Sequence, residues 1–267
     1  MAKYDPPKKM LKSGVDVVPD FEVPAVDRNR TSPFPFGGHR FEFRAAGSSQ
    51  NVSMVNTVLA TIVAESFKDF SDQIESGKKP EDVAKDALNK HWRVIFDGNG
   101  YDPAWLDEAN RRGIWRIDSG VDAINMLGSE KNMKLFESMS VLSKEELLAR
   151  KDICLNHYAG IVEMEALCLI DMVKQQILPA ILEAEQDAKG VKAALESVQD
   201  GLEAMHHEAD GYKKAVLARA LRLETMITAR EAIDEAEADC PAHLWPLATY
   251  KEMLFLDANQ DANGNTI

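Results

Sequence analysis

The spacing of apolar residues changes character along the chain. Before residue 50, Pro6, Pro7, Pro19, Pro24 and Pro33 favour extended chain and loop over helix. From Val52 to Ser76, "VSMVNTVLATIVAESFKDFSDQIES" has apolar residues three and four apart, which predicts a helix that Gly77 ends. Pro80 stands at a favourable first-turn position for a second helix, "PEDVAKDALNKHWRVIF". "DGNGYDPAW" reads as a turn cluster, and its Pro103 opens a further short helix.

Ser143 and Glu146 form a capping box at the head of a long helix, "SKEELLARKDICLNHYAGIVEMEALCLIDMVKQQIL". Its apolar residues are too numerous for one seam, so burial around much of its circumference is expected, with the Met and Leu stripes from 161 to 182 in the core. Pro179 is expected to kink or end it. After Gly190, residues Val191, Leu195, Val198, Leu202, Met205, Ala209, Tyr212 and Val216 alternate steps of four and three, the heptad pattern of paired helices. Asp210-Gly211 offers the turn of a helical hairpin. Acidic "EAIDEAEADCP" closes the last helix before Pro241. The expected fold is therefore mainly α with a small β element.

Composition narrows the partners. The chain has 267 residues, with 31 Lys and Arg against 44 Asp and Glu, for a formal net charge of -13. Such a balance repels nucleic acid and anionic lipid at long range. No window reaches the roughly 18 uninterrupted apolar residues of a bilayer span, and "MAKYDPPKKMLKSG" lacks the apolar stretch of a secretory signal. A cytoplasmic protein, with neither nucleic acid nor membrane as partner, is expected. Cys154, Cys168 and Cys240 form no C-x-x-C pair, which argues against a thiolate zinc site or a disulfide frame; Cys154 and Cys168 fall on apolar helical stretches and are expected to be buried, inert thiols.

Against this acidic background, "RNRTSPFPFGGHRFEFRAAGSSQ" gathers arginine and phenylalanine. In "HRFEFR" the alternation is strict. As a strand it places Arg40, Glu42 and Arg44 on one face and Phe41 and Phe43 on the other, where they would anchor it in a core. Two guanidinium groups flanking a carboxylate can form a salt-bridged solvent face. They can also form a polyanion site, in which the carboxylate is useful chiefly when a hard cation bridges it to the same anion.

"NRTSPF", the Gly37-Gly38 turn, "RFEFR", and "GSSQ" leading at once into a helix resemble the glutamine synthetase family where its catalytic barrel closes. "GVDVVP", "FDGNGY", "SEKNMKLFE", "IDMVKQQILPA" and "LWPLATYKEMLF" look like its type III branch, and the resemblance runs from about Gly14 to Phe255. It implies that residues 1–77 are the carboxy-terminal end of the catalytic domain, including a β-strand remnant of the barrel. Residues 78–256 would be a helical carboxy-terminal domain, and 257–267 a disordered tail.

The implied activity is ATP-dependent ligation of ammonia to glutamate through γ-glutamyl phosphate, with Mg²⁺ or Mn²⁺. In that scheme Arg30 contacts glutamate and the ATP phosphates, Arg40 neutralises phosphate charge, Glu42 ligates the divalent ion, and Arg44 binds glutamate. Glutamate and ammonia would be the substrates, and stacked hexamers the implied homo-oligomer. Two positions depart from the family's pattern. Pro35 stands where a second arginine usually lies five residues after Arg30, and Asp16 replaces a loop arginine, with Glu22 a candidate loop carboxylate whose spacing to Arg30 is short.

Family members carry a small amino-terminal domain and most of the barrel ahead of this region, with the other metal ligands and the ammonium-site acids. The chain is thus expected to be a carboxy-terminal piece, incompetent as a synthetase alone. A non-catalytic helical interaction or oligomerisation protein is the alternative. Elsewhere, adjacent His206 and His207 cannot share a metal in the i, i+4 manner and read as a solvated face. His91 and His157 read as core or boundary residues, His39 as a turn residue, and the four tryptophans are scattered without basic surroundings.

Overall fold

The computed structural model describes residues 10–12, 14, 20–22, 34–37, 39–45, 47, 50–95 and 102–254. "FDGNGY" and the segment after 254 lie outside them, as does Arg30. The chain divides into two compact units, Met1–Arg116 and Ile117–Ile267. The boundary inferred at residue 77 falls inside the first.

In the first unit, β1 (Met10–Leu11) pairs antiparallel with β2 (Phe21–Glu22). The helix expected from Val52 runs as α1 (Ser53–Glu75). Gly77 takes a φ of 101°, and the amide of Lys78 donates to the Gln73 carbonyl, so the helix ends in a left-handed cap that glycine adopts without strain. α2 (Pro80–His91) starts on its proline, continues as a 3₁₀ turn (Trp92–Val94), and is followed by α3 (Pro103–Arg111), whose first turn is capped by Asp102 accepting from the Ala104 amide. Arg112 ties this region together. Its guanidinium lies over Trp105, donates to the carbonyl of Ile95 at 2.8 Å, and pairs with Glu108.

The second unit is helical among its described residues. α4 (Gly120–Asn125) and α5 (Glu130–Ser138) lead to α6 (Lys144–Met172), whose capping box forms as expected: the Glu146 amide donates to Ser143 Oγ, and the Ser143 amide to Glu146 Oε2. Pro179 does not end this helix. A π turn (Val173–Ile177) precedes it, and the chain runs on as α7 (Leu178–Glu183). The widened turn accommodates the missing donor and the ring that would otherwise crowd the preceding carbonyls. α8 (Lys189–His207), α9 (Gly211–Ala220), a second π turn (Leu221–Thr225), α10 (Met226–Asp239) and α11 (Tyr250–Leu254) complete the unit.

One core joins Val162, Ala166, Val198, Leu202, Met205 and Leu221 with Ala159, Ala218 and Ala229, small side chains that let the helices approach closely. A second gathers Val173, Ile177, Ile181, Val191 and Ile233. The heptad face holds through Met205 and then loses phase: Ala215 and Ala218 are buried, whereas Val216 is 41% exposed. Glu208 is extended, and Asp210 caps a new helix by accepting from the Lys213 amide, so the helical phase is reset between them.

Several expectations of burial fail. Met164, Leu167 and Leu182 are exposed, so α6 is buried along a stripe, not around its circumference. Cys168 is exposed and Cys154 half-buried, while Cys240 is the buried thiol. His91 and His157 are exposed.

Among the described residues, Lys144–Glu183 is the one helical stretch long and apolar enough to cross a membrane. Its Val162, Ala166, Val173 and Ile177 lie in side-chain cores with later helices, which is the packing of a core helix.

Candidate functional site

Among its described residues the arginine segment is a tight turn with one isolated bridge and no regular strand. The amide of Gly37 donates to the Arg40 carbonyl at 2.7 Å, that of Glu42 to the Pro35 carbonyl at 3.1 Å, and Phe36 and Phe41 form an isolated antiparallel bridge. A strand extends only where a neighbour supplies a ladder, and among the described residues only 35–36 does so. The phenylalanines are not in a core. Phe41 is 61% exposed and Phe43 47% exposed, and Phe41 stacks on Phe34 with ring centroids 5.1 Å apart.

The period-two alternation nevertheless brings the three charged side chains together. Arg40 donates from Nε and Nη2 to Glu42 Oε1 at 3.0 and 2.6 Å. Arg44 donates from Nε and Nη2 to Glu42 Oε2 at 3.3 and 3.1 Å. Each guanidinium therefore takes one carboxylate oxygen with a fork of two donors. Hydrogen bonds from Arg40 first, and from Arg44 second, hold the Glu42 carboxyl below the usual glutamate range. Arg40 Nη1 also lies 3.0 Å from His39 Nε2, so the turn histidine faces the cluster.

This arrangement can present positive charge to an anion, two guanidiniums against one carboxylate. As a metal site it does not fit. Both Glu42 oxygens are engaged, and no group of three or more His, Cys, Asp or Glu among the described residues could hold an ion. Magnesium in particular retains its waters and is held by carboxylates together with substrate phosphates. Of the other predicted site residues, Arg30 lies outside the described residues, and Glu22 is placed by its backbone in β2.

Cross-helix polar links in the second unit were not legible in the sequence, because their partners lie far apart along it. His206 meets Glu163 of α6 at 2.7 Å, Arg222 of the second π turn pairs with Glu165, and the Tyr212 hydroxyl donates to Asp122 Oδ1 at 2.6 Å. An open groove of about 490 Å³ beside His206 is lined by Leu167, Ile170 and Leu202 together with Lys174, Gln199, Glu203 and His207. His207 pairs with Glu203 on its own helix, the solvated face expected of it.

Residues 81–199 match the glutamine synthetase C-terminal domain family. The class is therefore a glutamine synthetase carboxy-terminal domain, joined here to an arginine-rich segment on its amino-terminal side. A protein of Dictyostelium discoideum named "Type-3 glutamine synthetase" is 38% identical over 194 residues, covering 70% of this chain and 26% of that protein. A "Glutamine synthetase" of Bacteroides fragilis (strain YCH46) is 25% identical over 290 residues, 93% of this chain and 40% of its own length. Another, of Butyrivibrio fibrisolvens, is 28% identical over 267 residues, 86% of this chain and 38% of its own. The chain belongs to the glutamine synthetase family, as a carboxy-terminal portion of its type III branch. It spans between 26% and 40% of the length of these relatives.

Proposed function

We propose that this chain supplies the anion-binding arginines and the helical carboxy-terminal domain of a cytoplasmic enzyme that ligates ammonia to glutamate at the expense of ATP. The single observation that carries the reading is the convergence of Arg40, Glu42 and Arg44 on one face of a segment that precedes a glutamine synthetase C-terminal domain. Transfer of a phosphoryl group from ATP to the glutamate side chain gathers charge on the moving group, and fixed guanidiniums stabilise that charge. In this reading Arg30 meets glutamate and phosphate, Arg40 meets phosphate, Arg44 meets the substrate carboxylate, and Glu42 pairs with the two guanidiniums. ATP with Mg²⁺ or Mn²⁺ is the cofactor set. Further carboxylates must come from elsewhere in the assembled enzyme, which is a homo-oligomer. By itself the chain is catalytically incompetent.

A γ-glutamyl transfer assay with Mn²⁺ tests this. The chain alone should give no turnover. Mixed with the amino-terminal portion of the Bacteroides fragilis relative it should give turnover that Arg44→Ala abolishes. Turnover by the isolated chain would overturn the claim of incompetence, and a trans-supplied activity indifferent to Arg44→Ala would overturn the role of the arginine face.

A further inference from the structure

The exposed side of α6 is symmetric about its own midpoint. At about 100° per residue, Ile153, Asn156, Gly160, Met164 and Leu167 fall on one stripe of the helix. Ile153 is 66%, Met164 64% and Leu167 50% exposed, and a Cβ added to Gly160 would meet nothing within 4 Å. Ile153 stands seven residues before Gly160 and Leu167 seven after it; Asn156 stands four before and Met164 four after. Farther out the same symmetry relates Glu146, in the acidic first turn of α6, to Lys174 in the first π turn, and both are exposed. We propose that this face binds the same face of a second copy of the chain, α6 against α6 and antiparallel, about a two-fold axis through Gly160. The contact is independent of the arginine turn and of the part proposed for it in catalysis.

A two-fold axis normal to a helix sets each residue opposite the one equally far along on the other side of the axis. Ile153 of one copy then meets Leu167 of the other, Asn156 meets Met164, and each contact occurs twice. Glycine at the axis lets the helices approach to the near end of the usual interaxial range of about 8–10 Å. Charge selects this partner and this direction. Antiparallel pairing carries the acidic turn of Glu145 and Glu146 to Lys174, which with His206 and His207 borders the groove beside Leu167. It also brings the exposed Arg150 beside the exposed Asp171 of the second copy. Parallel pairing would set Glu146 against Glu146 and Lys174 against Lys174, and like charges facing across an interface oppose association. Antiparallel helices also lie with their dipoles opposed, which favours the same direction.

Disulfide trapping in the 267-residue chain tests the pairing. The background carries Cys168→Ser, which removes the exposed thiol next to the stripe, and Phe41→Ser with Phe67→Ser, which weakens association through the exposed phenylalanines of the first unit. Ile153→Cys and Leu167→Cys are made in separate chains of distinguishable size, mixed, and oxidised mildly. The two chains should link to each other. Each alone should link poorly, because in the antiparallel pair like positions lie about 20 Å apart along the axis, well beyond the roughly 7 Å between Cα atoms that a disulfide spans. Lys174→Glu in both chains should lower the mixed product at least ~3-fold at low salt. Linking of each variant to itself as readily as to the other overturns the antiparallel register. Thiols that neither link nor react with a maleimide mean that another segment of the chain covers this face, and they overturn the proposal outright. A mixed product indifferent to Lys174→Glu overturns the charge pairing that selects a second copy.

Discussion

Gly201, in the middle of α8, is expected to be a glycine by contact and not by conformation. An added Cβ would lie 2.9 Å from Leu221 Cδ1 and 3.8 Å from its Cγ, and Leu221 is only 2% exposed within the first core. Alanine at a helix interior gains up to about 1 kcal/mol over glycine. Overpacking a tight core costs about 1–3 kcal/mol. Gly201→Ala should thus be neutral to destabilising by about 2 kcal/mol. Leu221→Ala should cost about 2–5 kcal/mol through lost burial and a cavity. In that background the obstruction is gone, so Gly201→Ala should stabilise by about 1–2 kcal/mol, combining helix propensity with a newly buried methyl. The sign of one substitution reverses with the other, a coupling in the range of about 0.5–3 kcal/mol found for residues in contact. Native-state hydrogen exchange at the Val198, Leu202 and Met205 amides reads these free energies in the four chains. Equal effects of Gly201→Ala in both backgrounds, or full stabilisation of the unaltered chain, would refute the packing argument.

Two further outcomes follow from titrating groups. Glu108 is held down to about 2 by hydrogen bonds from Arg111 and then Arg112, so its contribution is present above the ordinary glutamate value and is lost as pH falls towards 2; Glu108→Gln should flatten the acid dependence of α3 amide exchange. Tyr212 is raised above its ordinary 10.0 by its bond to Asp122, so its contribution is complete below that pH and is lost as pH rises through the raised value; thermal melts of Tyr212→Phe should lack this alkaline loss.

What the sequence made legible was local. The Ser143 capping box and the Gly77 terminus each depend on residues within one turn, and both form. The shared face of Arg40, Glu42 and Arg44 follows from a period of two over five residues, and it forms even without a regular strand. What was not legible depends on partners distant in sequence. Whether Pro179 ends a helix turned on a π turn packed in the second core, where Val173 and Ile177 are buried. The heptad phase past Met205 depended on an extended Glu208, which periodicity does not signal. Burial of Cys168 and His157 was misjudged because an apolar neighbourhood along a helix does not say which side a second helix covers.

The same distinction sets how the isolated chain should behave. In the first unit, Phe36, Phe41 and Phe43 are 57%, 61% and 47% exposed, and on α1 Ile62, Val63 and Phe67 are 40%, 42% and 67% exposed. Apolar spacing on α1 is that of a helix with a buried face, yet among its residues only Thr61 is buried. Covering the exposed part of one such phenylalanine contributes about 1–2 kcal/mol, so a handful of them suffices to hold two copies together at micromolar concentration. Self-association is the expected outcome, seen as a concentration-dependent mass in analytical ultracentrifugation and reduced by Phe41→Ser with Phe67→Ser. A monodisperse monomer at every concentration would mean that these side chains do not drive association, and the argument from their exposure would fail.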